Sequence, residues 1–219
     1  MANKILLSIS LISIIISINF IAHINTLTSS SDRNNNLAKQ QDFKVNSNCL
    51  IENEKYDGEF LYTCEFRDYP TPYVDPHNSK YIQDFDQMRW IFTPANNNDD
   101  NSTFYIINSF YDMLLCSGNS RIGLFSQRRK LNMQNLFKIN EFDNEECIWY
   151  VEPAEKLYKK YIKSKKSDKN RYVIWNYKYA EPLYAGSFLL KQVKSKRRNI
   201  YTWYKKPNSA QFIWNLHCL

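Results

Sequence analysis

Three stretches of the chain align without gaps: Cys49-Leu50-Ile51-Glu52-Asn53-Glu54-Lys55-Tyr56-Asp57, Phe104-Tyr105-Ile106-Ile107-Asn108-Ser109-Phe110-Tyr111-Asp112 and Tyr172-Val173-Ile174-Trp175-Asn176-Tyr177-Lys178-Tyr179-Ala180. The common pattern is bulky, bulky, Ile, x, Asn, x, x, Tyr, and an apolar stretch follows each copy: Phe60-Leu61-Tyr62, Met113-Leu114-Leu115 and Leu183-Tyr184-Ala185. Each copy reads as strand, turn at the Asn, strand. A second marker runs in phase with the first. Trp90 lies 37 residues after Asn53, Trp149 lies 41 after Asn108, and Trp214 lies 38 after Asn176. Two independent markers in register three times define an internal repeat.

Three strand-rich units have to close their sheet edges, and three four-stranded units do so as a barrel with a hairpin lid. The expected architecture is all-β, a β-trefoil of three pseudo-symmetric units. The repeated Trp and Ile positions are then core layers, since Trp at a fixed strand position packs far more often than it stacks on a ligand.

Repeat phase also places a disulfide. Pro94 and Phe104 mark the base of one hairpin, Pro153 and Tyr172 mark another, and the equivalent positions in the remaining unit are Cys218 and Cys49. A Cys49–Cys218 bond would close the ring where no loop exists, with a stabilisation on the order of 4–5 kcal/mol in the chain-entropy model. Cys116 with Cys147 is the second expected bridge, leaving Cys64 over.

The 219 residues suit one domain with extensions, and 43% hydrophobic content is enough for a core. Residues 1–25 carry Lys4 and then an apolar run ending near Ala22, the layout of a secretory signal peptide. A polar leader at 26–45 and a trefoil domain at 46–219 follow. After signal removal no second apolar run is left to span a membrane, so the mature chain is expected outside the cell, as a monomer. Five cysteines in an oxidising compartment favour disulfides over metal ligation. With no Cys-x-x-Cys and only His23, His77 and His217, no metal site is expected. Four scattered glycines cannot build a phosphate-cradling loop, so no nucleotide cofactor is expected either. Adjacent carboxylates such as Glu145-Glu146 point to opposite faces of a strand, which argues against an acid/base pair and against an enzyme. Asn101-Ser102-Thr103 is a glycosylation sequon within a polar run, which places Asn101 on a surface loop.

Net charge is +7, and its distribution is uneven. Residues 23–148 hold 12 basic and 18 acidic residues, a balance of −6, whereas 149–219 hold 16 and 4, a balance of +12. One basic cluster includes Lys159, Lys160, Lys163, Lys165 and Lys166, with Tyr158 and Tyr161 recurring at the spacing of a short amphipathic helix. A second includes Lys194, Lys196, Arg197 and Arg198. The two loops are expected to emerge at one end of the third unit as a single positive surface. Like charges gathered this way repel unless an anion is bound. Arg197 and Arg198 would grip sulfate or carboxylate bidentately, the lysines would act as point charges, and Tyr158 and Tyr161 would offer faces for sugar rings.

The Trp-x-x-x-Pro, Ile-x-Asn-x-x-Tyr and Leu-Tyr-Ala patterns, with Arg197-Arg198-Asn199-Ile200-Tyr201-Thr202-Trp203, resemble secreted insect β-trefoil proteins. The nearest are mosquito salivary proteins rich in cysteine and tryptophan, and more distantly the trefoil half of silkworm-type haemolymph lipoproteins. Gln87-x-x-Trp90 and Gln211-x-x-Trp214 are one residue longer than the Gln-x-Trp of ricin-type lectins, and Glu146 replaces the Gln in the middle copy. The resemblance implies a secreted, lectin-like salivary or body-fluid protein.

The leading expectation is a non-enzymatic secreted protein that binds acidic glycans or anionic cell surfaces, not nucleic acid. Two alternatives stand beside it. One is a trefoil-type protease inhibitor with a protein target, using Lys165-Lys166 or Arg128-Arg129; the other is a neutral-sugar lectin.

Overall fold

The computed structural model describes residues 45–66, 69–76, 84–95, 103–123, 126–136, 144–155, 170–189 and 197–219. They form strands β1 (Asn48–Asn53), β2 (Glu59–Phe66), β3 (Tyr69–Pro76), β4 (Arg89–Pro94), β5 (Thr103–Asn108) and β6 (Met113–Arg121). The second half contributes β7 (Arg128–Asn135), β8 (Ile148–Pro153), β9 (Arg171–Asn176), β10 (Glu181–Leu189), β11 (Arg198–Trp203) and β12 (Trp214–Cys218). The period of two is visible in burial: Cys49, Ile51 and Asn53 point inward along β1, as Phe104, Ile106 and Asn108 do along β5.

Six strands close on themselves. β1 pairs with β4 and β12, β5 with β4 and β8, and β9 with β8 and β12, all antiparallel. This ring has no free edge. Hairpins β2–β3, β6–β7 and β10–β11 extend from it, and β11 pairs with both β3 and β7. A six-stranded ring with three hairpins in pseudo-three-fold arrangement is a β-trefoil.

The two sequence markers turn out to be one contact. Trp90 lies opposite Asn108, Trp149 opposite Asn176, and Trp214 opposite Asn53. All three indoles are fully buried in the central cluster with Ile51, Ile106 and Ile174. Their N–H groups donate to the carbonyls of Leu61 (2.9 Å), Leu115 (2.7 Å) and Leu183 (3.2 Å). A buried indole needs such a partner, and each finds it in its own unit's apolar stretch.

The asparagines cannot be replaced by simple packing residues. Asn108 Nδ2 donates to the carbonyls of Gln87 and Arg89, Asn176 to those of Glu146 and Ile148, and Asn53 to those of Gln211 and Ile213. Each Oδ1 meanwhile accepts a backbone N–H of the following turn, from Lys55, Tyr111 or Tyr179. Only an amide both donates and accepts this way. The residues so held are the short 3-10 turns Phe85–Met88, Glu145–Cys147 and Ala210–Phe212, which lead into each Trp strand.

Both expected disulfides form: Cys49–Cys218, separated by 169 residues, and Cys116–Cys147, separated by 31. Cys49 and Cys218 face each other across β1 and β12, as Phe104 faces Pro94 and Tyr172 faces Pro153. The bond therefore stands where the other two units have a connecting loop.

Cys64 is free and buried. Register explains it. With Leu61, Leu115 and Leu183 equivalent, Cys64 matches Gly118 and Gly186, each beside a shift in hairpin register. A Cβ at Gly118 would come within 2.7 Å of the Lys130 carbonyl oxygen, and one at Gly186 within 2.9 Å of that of Asn199. The first hairpin has no such shift and pairs Cys64 regularly with Thr71. A side chain is tolerated there, and it points into a cluster with Tyr62, Tyr73 and Met88.

Candidate functional site

Of the residues expected to bind anions, Tyr158, Lys159, Lys160, Tyr161, Lys163, Lys165, Lys166, Lys194 and Lys196 lie outside the described residues, as does Asn101. Arg197 and Arg198 are described, and they are not the open grip expected of them. Arg198 Nε and Nη2 donate to the Glu59 carboxylate at 2.7 and 3.3 Å, and its guanidinium lies 3.6 Å from the centre of the Tyr56 ring. Arg197 is buried, with Nε 4.0 Å from the Asp75 carboxylate, which is itself buried. The acids that neutralise both come from the first unit, 122 and 139 residues earlier in the chain, so the local sequence gave no hint of them.

The same register that equates Cys64 with two glycines equates Leu131 with Ile200. It follows that Arg128-Arg129 on β7 corresponds to Arg197-Arg198 at the start of β11. The second arginines do the same work. Arg129 donates to both oxygens of Glu181 at 3.1 Å, lies 3.9 Å from the centre of the Tyr179 ring, and reaches the Asn119 carbonyl. Arg198 has Glu59, Tyr56 and the Ser187 carbonyl in the matching roles. Glu181 is buried and also accepts from Thr202, whose hydroxyl bonds to Ser117. Both corners are closed ion pairs that lock neighbouring units together.

The first arginines differ. Arg197 lies 4.8 Å from the Tyr73 ring and 5.7 Å from that of Tyr62, with Asp75 beside it. Arg128 lies 5.6 Å from Tyr201 and 5.4 Å from Tyr184, the register equivalents of Tyr73 and Tyr62. The equivalent of Asp75, however, is Trp203, whose ring centre is 4.3 Å from Arg128. One arginine thus has two tyrosines and a carboxylate; the other has two tyrosines and an indole.

Electrostatics follow this difference. Around Arg197, burial pushes the Cys64 thiol and the Tyr62 and Tyr73 phenols up, and the guanidinium only partly offsets it. Around Arg128, positive charge accumulates. Lys205 Nζ is 5.0 Å from the same indole, Arg121 is 5.7 Å from the adjacent Tyr204 ring, and Lys130 is exposed opposite Tyr201. Among the described residues none of Arg121, Arg128, Lys130 and Lys205 forms a salt bridge. Tyr204 is 62% exposed, leaving an aromatic face in solvent among these cations.

Reading by segment charge missed Arg121, Arg128 and Lys130, because they lie in the half whose sum is negative. The signal that could have found them was the match of Gln127-Arg128-Arg129-Lys130-Leu131 with Lys196-Arg197-Arg198-Asn199-Ile200. Arg128 and Arg129 also bear on inhibition of a protease. They sit inside β7, which pairs with β6 on one edge and β11 on the other, so neither is offered on a loop. Lys165-Lys166 is outside the described residues. The described residues contain no group of His, Cys, Asp and Glu that could hold a metal, and no helix long and apolar enough to cross a membrane.

This constellation sits on a β-trefoil. No family model and no curated protein matches the chain. Solved structures do. A Polyporus squamosus lectin bound to a Neu5Ac-terminated epitope is similar with a TM-score of 0.54 and 10% identity, over 81% of this chain and 50% of that one. The designed three-fold symmetric protein ThreeFoil matches at a TM-score of 0.52 and 10% identity, over 78% of this chain and 99% of that one. A Culex salivary protein of the cysteine- and tryptophan-rich family matches at 0.47 and 14%, over 79% and 94%. At these identities the likeness concerns the fold.

Proposed function

We propose that the protein is a secreted, non-enzymatic, lectin-like binding protein that takes acidic glycans or anionic cell surfaces on the basic side of its third unit. Residues 1–25 would direct export, 26–45 would form a polar leader, and 46–219 would act as a monomeric binding domain. The observation that carries the reading is the cationic group Arg121, Arg128, Lys130 and Lys205 beside exposed aromatic surface, without carboxylate partners among the described residues. Cations held close together are stabilised by a bound anion, and aromatic faces next to them suit sugar rings. Seven lysines at 156–169 and three at 191–196 belong to the segment 149–219, where basic residues outnumber acidic ones sixteen to four. A salivary or body-fluid setting agrees with the repeat pattern and with the two disulfides.

The test is chromatography of the mature protein on immobilised heparin beside a neutral trefoil lectin. We expect retention that falls steeply with added salt, because screening shortens the reach of exposed charges to about 8 Å at physiological ionic strength. Elution no later than the neutral lectin would rule the reading out.

A further inference from the structure

The two arginine cages show what one of them lacks. Arg197 and Arg128 occupy equivalent positions, each flanked by an equivalent pair of tyrosines: Tyr62 and Tyr73 for the first, Tyr184 and Tyr201 for the second. At Arg197 a carboxylate, Asp75, stands at the third position. At Arg128 that position is Trp203, which supplies a flat face and no negative charge. The cage floor is also conserved in kind, Met88 with Tyr62 in one and Phe212 packed 4.9 Å from Tyr184 in the other. In the remaining unit the equivalents of Tyr62 and Met88 are Cys116 and Cys147, so a disulfide fills that place and no third cage exists.

We propose that Arg128 is the anchor of a binding site for a sulfated or carboxylated saccharide, whose acid group takes at Arg128 the role that Asp75 plays at Arg197. This rests on the acidic-glycan reading above and assigns it a place. A guanidinium stacked on an indole keeps its N–H edge available, and that edge matches the paired oxygens of sulfate or carboxylate. Trp203, held between Phe212 at 5.9 Å and Arg128 at 4.3 Å, fixes the guanidinium in place, and the exposed Tyr204 ring beside it is the platform for the ring that carries the acid group. Lys205 on the same indole and Arg121 on Tyr204 supply further positive charge for a second acid group along a chain. Because β7 and β11 are joined in register at Trp203 and Arg128, the anchor and the indole that fixes it come preformed from two different units.

The experiment is calorimetric titration of the mature protein with a heparin-derived oligosaccharide, at about 0.15 M salt where exposed charges are partly screened. Arg128→Gln removes the anchor, and Trp203→Asp writes the closed cage into the open one; each is expected to weaken binding by about tenfold or more, the scale of one lost charge-assisted contact. Arg128→Lys keeps the charge but not the fork, and is expected to lose most of that affinity too. The paired exposed changes Arg121→Gln with Lys205→Gln serve if the cage variants fail to fold; they should lower affinity and flatten its salt dependence. A loop variant, Lys159→Gln with Lys160→Gln and Lys163→Gln, should retain the cage-dependent part. If Arg128→Gln binds like the native protein while the loop variant loses binding, the site is elsewhere and this inference is wrong, although the acidic-glycan reading survives. If the native protein binds no oligosaccharide, the reading itself fails. Capture of phosphatidylserine vesicles without oligosaccharide binding would likewise overturn the saccharide site.

Discussion

Two Arg-Arg pairs at equivalent positions have opposite fates. Arg197-Arg198 is wholly engaged, one guanidinium against Asp75 and the other against Glu59. In Arg128-Arg129 only the second is so engaged, by Glu181, while the first rests on aromatic rings at the surface. Three of the four arginines are thus structural cement between units, and one is not. Fold repetition makes the comparison sharp, because backbone position, strand partner and flanking tyrosines are held nearly constant while the counter-charge changes. A cation count over a segment cannot make this distinction, since it treats neutralised and available charges alike.

The comparison predicts unequal costs. Glu181→Ala should produce the largest effect, because it strands Arg129 in a mostly buried setting and removes an acceptor from Thr202. Losing one member of a buried pair costs about 3–5 kcal/mol, readable as a shift in the urea midpoint with unchanged slope. Glu59→Ala should be of the same order. If either variant unfolds at the native midpoint, these corners do not hold the units together and the distinction between closed and open arginines collapses.

Smaller in size is an alkaline weakness centred on the closed cage. Burial raises the Cys64 thiol above its ordinary 9.0 and holds the Tyr62 phenol above its ordinary 10.0. In the unfolded chain both groups release protons near those ordinary values, while in the folded chain they keep them. Above that pH the folded state therefore binds more protons, and stability falls as pH rises. The contribution is intact below the unfolded value and is lost from there toward the folded one. Each proton accounts for about 1.4 kcal/mol per pH unit. Thermal midpoints should therefore drop from about pH 8.5 upward, and Cys64→Ala should flatten the first part of the drop while leaving the tyrosine share. An identical slope in the variant would show that the thiol is not held protonated by the fold. The same burial explains why Cys64 does not offer itself for a bond between chains.

How far the sequence could carry these conclusions depended on which contacts repeat. Asn53, Asn108 and Asn176 and the three tryptophans were legible because each is required three times by the same backbone geometry, and because the pair faces itself across the ring. Cys49–Cys218 was legible because the ring has one gap that only those positions flank. Arg197 and Arg198 were misread because their carboxylates, Asp75 and Glu59, arrive from the first unit through β11–β3 pairing, a contact with no trace in local charge. The Arg128 cage was missed for the converse reason: it borrows its aromatic faces from another unit, so neither unit alone displays it. Repeats reveal what is the same in each copy, whereas a site arises from what one copy has changed.

The smallest expected effect tests the open side most directly. Lys205 is exposed, lies over the Trp203 ring, and has no carboxylate partner among the described residues. Lys205→Gln should change unfolding free energy by no more than about 0.5 kcal/mol, the range of surface substitutions away from buried networks. A slight stabilisation is the expected sign, because the change relieves repulsion from Arg128 across one indole at 4.3 and 5.0 Å. Raising salt should erase the gain, since the interaction removed is between exposed charges. Were Lys205→Gln instead to destabilise by 2 kcal/mol or about that, on the scale of a lost buried contact, the lysine would be part of the fold's own neutralisation. The open cage would then be as structural as the closed one, and the difference between Arg128 and Arg197 would no longer mark a place for an outside anion.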